Sequence, residues 1–112
     1  MFKRACLSHE GMEEIKIAAT DQVPEGMGII VEVGGKSLAL FNVHGEYYAI
    51  DNTCPHRGGS LGDGFLEGER VTCPIHGWQF DVTSGKGVAP PGAAIKSYKV
   101  DVRGEDIFVE ME

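Results

Sequence analysis

The chain has 112 residues with 17 acidic and 10 basic side chains, for a net charge of −7. That length fits one domain, and the charge argues against nucleic acid or an anionic membrane as partner, since both demand a positive face. Apolar residues at 42% and charged residues at 24% are ordinary globular levels and exclude disorder.

Residues 1–12 show no period and read as an N-terminal extension that carries Cys6, an odd third cysteine outside any disulfide framework. The start Met1-Phe2-Lys3-Arg4 is positive but no apolar run follows, so it is no signal peptide, and no stretch approaches the roughly 20 apolar residues that span a bilayer. The expected location is the cytoplasm. Ile15-Lys16-Ile17-Ala18 alternates as a first strand. Residues 20–26 carry Pro24 and Gly26 and read as a loop with room for one helical turn. Two apolar, β-branched runs at 27–33 and 37–43 flank Gly34-Gly35, a hairpin signal, because glycine accepts the positive φ of a type I′ turn. His44-Gly45 repeats the device before a strand over 46–50. A short strand is expected at 65–67; 70–72 leads into and 78–82 out of a second motif, turns or loops run over 83–92, a strand is expected at 98–102, and 106–110 closes the chain. Pro90-Pro91 stiffens its loop, since proline fixes φ and lacks a donor. No helical period exceeds ten residues, so the expectation is an all-β single domain over 1–112 with nine or ten short strands.

Chemistry concentrates in two stretches, Cys54-Pro55-His56-Arg57-Gly58-Gly59 and Cys73-Pro74-Ile75-His76-Gly77-Trp78. Each offers one thiol and one imidazole, as Cys-x-His and Cys-x-x-His, and 16 residues separate His56 from Cys73. Two soft sulfur donors and two nitrogen donors suit a tetrahedral zinc ion, or a [2Fe–2S] cluster in which two His replace two Cys on one iron. Zinc fingers tend to put both Cys in one knuckle and both His in the other. One of each per knuckle suits two irons instead, with Cys54 and Cys73 on one and His56 and His76 on the other. Gly58, Gly59 and Gly77 supply the sharp turns that aim backbone N–H groups at sulfur. His9 and His44 have no ligand partner at the right spacing and read as exposed turn residues; Asp63, Glu67 and Glu69 read as a solvated face.

At these residues the chain resembles the Rieske iron–sulfur family, in particular the soluble ferredoxins of bacterial ring-hydroxylating dioxygenase systems. The resemblance runs from about residue 13 to the C-terminus. It implies an incomplete antiparallel β-barrel or sandwich with a small inserted cluster-binding subdomain over about 51–82. It also implies one [2Fe–2S] cluster held by Cys54, His56, Cys73 and His76, with the Pro90-Pro91 loop packed over it. The implied role is electron transfer rather than catalysis, with a flavoprotein reductase as donor and a terminal oxygenase as acceptor. The small Rieske-like subunit of an assimilatory nitrite reductase shares the Gly-Trp-x-Phe-Asp pattern at Gly77–Asp81 and is the alternative. High-potential relatives carry a disulfide at the positions of Gly59 and Ile75, and hydroxyls at those of Trp78 and Phe80. Their absence here implies a potential near the low end of the family's range, roughly −150 to +300 mV.

Overall fold

The computed structural model describes residues 13–54, 59–75, 77–89 and 92–111. Among them are eleven strands, two short 3-10 turns and no α-helix; in particular, no helix is long and apolar enough to cross a membrane. Three open antiparallel sheets carry the strands. In the first, β1 (Glu13–Ala19) and β10 (Val100–Arg103) flank β11 (Asp106–Met111). The second runs β2 (Gly28–Val33), β3 (Lys36–Val43), β4 (Glu46–Asp51) and β9 (Ser97–Tyr98). The third runs β5 (Phe65–Glu67), β6 (Arg70–Thr72), β7 (Gln79–Asp81) and β8 (Gly87–Ala89).

The two expected hairpin turns form as their chemistry demands. Gly34 and Gly35 have φ of 57° and 83°, and His44 and Gly45 have 53° and 89°. His44 is the one non-glycine with positive φ among the described residues, and its ring is exposed beside Glu25. Register follows from these turns: β2 pairs with β3 from Gly28 against Phe41 to Val33 against Lys36, and β3 pairs with β4 from Leu38 against Asp51 to Val43 against Glu46.

Strand β3 explains how three sheets share one small chain. Successive strand residues point to opposite faces. Leu38 and Leu40 enter one core with Val33, Ala49, Ile107, Val109 and Met111, which joins the second sheet to the first. Ala39, Phe41 and Val43 enter the other with Ile50, Leu61, Val71 and Phe80, which joins the second sheet to the third. A strand buried on both faces must be a continuous apolar run, and Leu38-Ala39-Leu40-Phe41 is one. Phe41 lies flat on Gly28, where an added Cβ would meet its ring at 2.5 Å.

The strand count and two segments correct the expectations. The stretch read as turn and loop over 83–92 contains β8, because Gly87 and Ala89 find partners on β7. Gly87 lets the backbones close up: a Cβ there would lie 2.4 Å from the Ala93 carbonyl oxygen. The single strand expected at 98–102 breaks at Lys99. Its first part pairs with β4 in the second sheet and its second part with β11 in the first. That change of sheet bends the chain around the core, and nothing in the local alternation announces it.

Candidate metal centre

The described ends of both sequence knuckles are closed alike. In the first, Thr53 and Ser60 pair across the base, and the Cys54 N–H donates to the Gly59 carbonyl at 2.8 Å. In the second, Thr72 pairs with Gln79, and the Cys73 N–H donates to the Trp78 carbonyl at 2.7 Å. Each cysteine therefore heads a six-residue loop closed by a bond from its own amide to the loop's last carbonyl. The second loop is tightened by the Gly77 N–H, which donates to the Cys73 carbonyl at 3.0 Å, with Gly77 at φ 77°.

Both cysteines are buried, at 1% and 2% exposure, in the core shared with Phe80, Val71 and Leu61. The two loops meet at Gly59. A Cβ on Gly59 would lie 2.8 Å from Cys73 Sγ and 3.0 Å from Ile75 Cδ1. Gly59 and Ile75 are thus neighbours across the loops. Phe80 is wholly buried and Trp78 half-buried beside it, with ring centroids 6.4 Å apart. Asp63, Glu67 and Glu69 are exposed.

His56 and His76 lie outside the described residues, as do Pro55, Arg57, Gly58, Pro90, Pro91, Cys6 and His9. Two dry sulfur donors at the heads of touching loops fit the sulfur half of a [2Fe–2S] site. The glycine between the loops leaves room that a Cβ would fill. Among the described residues, no group of three or more His, Cys, Asp or Glu side chains forms a rival metal site.

The legs of the first loop are held by residues that the sequence reading passed over. Asn52 is buried, and its Oδ1 accepts from the Gly62 N–H at 2.7 Å and from the Ser60 hydroxyl at 3.2 Å. Its Nδ2 donates to Ser60 Oγ at 3.0 Å, and its carbonyl accepts from the Leu61 N–H at 2.8 Å. Asn52 stands two residues before Cys54, and Ser60 directly follows Gly59, so the pair clamps the loop at its base. Nothing in the local sequence announces this clamp, because its partners meet only when the loop closes. One residue earlier, Asp51 Oδ1 accepts from the Tyr98 hydroxyl at 2.6 Å. Burial first, and then the neighbouring carboxylate, push the Tyr98 phenol well above its usual pKa.

The Rieske [2Fe-2S] domain profile matches residues 13–99. The ferredoxin component of the naphthalene 1,2-dioxygenase/salicylate 5-hydroxylase systems of a Ralstonia species is 42% identical over 99 residues, spanning 88% of this chain and 95% of that protein. The ferredoxin component of the naphthalene 1,2-dioxygenase system of Pseudomonas aeruginosa is also 42% identical, over 87% of this chain and 94% of that one. Among solved structures, the ferredoxin of carbazole 1,9a-dioxygenase from Nocardioides aromaticivorans IC177 superposes with a TM-score of 0.81 at 29% identity, covering 86% of this chain and 95% of that one. A putative nitrite reductase small subunit from Mycobacterium tuberculosis superposes with a TM-score of 0.83 at 23% identity, a likeness of fold alone. With the profile spanning both knuckles and the sheets that carry them, this chain belongs to the Rieske [2Fe-2S] domain family.

Proposed function

We propose that the chain is the one-electron ferredoxin of a multi-component ring-hydroxylating oxygenase system, accepting electrons from a flavoprotein reductase and delivering them to a terminal oxygenase. In this reading Cys54 and Cys73 hold one iron of a [2Fe–2S] cluster, and His56 and His76 hold the other. The cluster supplies reversible uptake of a single electron. The observation that carries the site is the pair of buried cysteines heading matching loops that touch at Gly59. The chain's own residues bury the sulfur donors, clamp the loop bases and keep water from the sulfur side. With all four donors engaged the site would supply electron transfer alone, so substrate chemistry takes place on the partner.

Relatives matched over 94–95% of their own length are ferredoxin components of such systems. A carbazole 1,9a-dioxygenase ferredoxin 31% identical to this chain has been solved in complex with its oxygenase. The acidic balance of −7 suits partners with basic docking surfaces. This reading places the carrier in the cytoplasm, which cell fractionation checks.

Colour separates the proposal from a structural zinc module at once, since a Rieske protein is brown-red and a zinc protein colourless. The experiment is electron spin resonance of the dithionite-reduced protein, followed by stopped-flow transfer from a naphthalene-system reductase to its terminal oxygenase. The expected result is a Rieske signal that is disrupted in His56→Ala and His76→Ala, with electrons reaching the oxygenase. A colourless protein, or an unchanged signal in both variants, overturns the assignment. Reduction of a sirohaem nitrite reductase subunit but not of the oxygenase would favour the nitrite reductase reading.

A further inference from the structure

We propose that Ile75 is a positioning residue for electron transfer: seated on Gly59 of the opposite loop, its side chain completes an apolar cover over the Cys73 sulfur and holds the reduction potential low. The inference rests on the function proposed above.

Cys73 stands at a loop tip whose next residues, Pro74 and Ile75, are exposed, as is Gly77, yet it is itself only 2% exposed. The core of Phe80, Val71 and Leu61 covers its inner side, which leaves the side toward the loop tips to Ile75 and the first loop. Both meet at one point. The position one bond out from Gly59 Cα lies 2.8 Å from Cys73 Sγ, 3.0 Å from Ile75 Cδ1 and 3.1 Å from Ile75 Cγ1. The outer end of Ile75 thus comes to the same point beside the first loop as the Cys73 sulfur. The rest of the side chain stays in solvent, at 55% exposure.

The electrostatic consequence has a definite sign. Reduction would add one negative charge to the cluster that Cys73 helps to hold. Water that reaches sulfur donates a hydrogen bond, stabilises the reduced form and raises the potential; an apolar cover withholds that bond and keeps the potential low. One hydrogen bond to a charged acceptor corresponds to about a tenfold or larger change in an equilibrium constant. Ile75→Ala removes both atoms that rest on Gly59 and opens that path. Ile75→Val removes only Cδ1 and opens part of it, whereas Ile75→Leu retains the bulk.

The test is protein-film voltammetry at neutral pH on wild type, Ile75→Ala, Ile75→Val and Ile75→Leu, with pulsed electron spin resonance in heavy water to count exchangeable deuterons near the site. For Ile75→Ala the expected result is an upward shift of about tenfold or more in the reduction equilibrium, 59 mV per tenfold for one electron, together with stronger deuterium modulation. Ile75→Val should shift in the same direction by less, and Ile75→Leu should stay near wild type. Should Ile75→Ala fail to retain a Rieske signal, the Ile75→Val shift decides. A potential unchanged or lowered in Ile75→Ala, or in Ile75→Val where that variant decides, overturns the inference while leaving the electron-carrier reading intact. Absence of the Rieske signal from wild type overturns both.

Discussion

Removing the Asn52 side chain should loosen the first loop without touching a metal ligand. In Asn52→Ala the Gly62 N–H loses its acceptor at 2.7 Å, and Ser60 loses bonds of 3.0 and 3.2 Å. Gly62 is half-buried and its face is pressed on Ile30, where a Cβ would lie 2.4 Å from Cγ1. Water cannot readily replace the lost acceptor, and an unsatisfied buried donor costs about 1–3 kcal/mol. The Ser60 hydroxyl can turn partly to solvent, so its two bonds together add about 1 kcal/mol. The sum, about 2–4 kcal/mol, is a large fraction of the roughly 5–15 kcal/mol that holds a domain together. Asn52→Asp, compared at acid pH where the carboxyl is neutral, keeps an oxygen for the Gly62 N–H and the Ser60 hydroxyl without burying a charge; at most the donated bond is lost, so it should cost about 1 kcal/mol. Hydrogen exchange read by mass spectrometry on the segment 60–64 measures this directly, because local opening is seen before global unfolding. At ~1.4 kcal/mol per tenfold, exchange in Asn52→Ala should quicken by about 30- to 1000-fold, and by roughly fivefold in Asn52→Asp. Exchange in Asn52→Ala within about threefold of wild type, or Asp as damaging as Ala, would refute the clamp.

Gly59→Ala should weaken cluster binding for a purely steric reason, since Gly59 has no positive φ and its added Cβ would stand 2.8 Å from Cys73 Sγ; overpacking of this kind costs about 1–3 kcal/mol. Adding Ile75→Ala should not restore it, because the sulfur rather than the isoleucine is the fixed neighbour, and chelator-driven bleaching rates of both variants check this. Phe80→Tyr places a hydroxyl inside the core that holds both cysteines. Water is out of reach there, so the hydroxyl should donate to sulfur and raise the potential by about 65–130 mV, one charged hydrogen bond of ~1.5–3 kcal/mol for one electron; voltammetry with no upward shift shows that sulfur is out of reach as well. Tyr98 should make stability fall at high pH: its folded pKa is raised by burial and Asp51. The unfolded phenol therefore ionises first, near pH 10, and the stabilisation present below that pH is lost as pH climbs toward the folded value. Tyr98→Phe should flatten that alkaline decline in denaturant titrations, and an identical slope in both proteins contradicts the assignment.

The proposed donor set was read from the sequence alone, since cysteine and histidine at these spacings need no tertiary information to be read as candidate ligands. The sequence also determined the two hairpins at Gly34-Gly35 and His44-Gly45, where positive φ is a property of the turn residues themselves. The buried run Leu38-Ala39-Leu40-Phe41 was legible as a strand for the same local reason. Three features were decided only by the folded chain: the pairing that makes Gly87–Ala89 a strand, the change of sheet at Lys99, and the meeting of Gly59, Ile75 and Cys73. The Asn52 clamp belongs with them, because its partners Ser60 and Gly62 lie across a loop whose closure a propensity cannot foresee. The division has one physical cause. Turn φ, alternation and ligand type reside in single residues and their near neighbours, whereas a cross-strand partner, a clash and a shared hydrogen bond exist only between segments that the whole fold brings together.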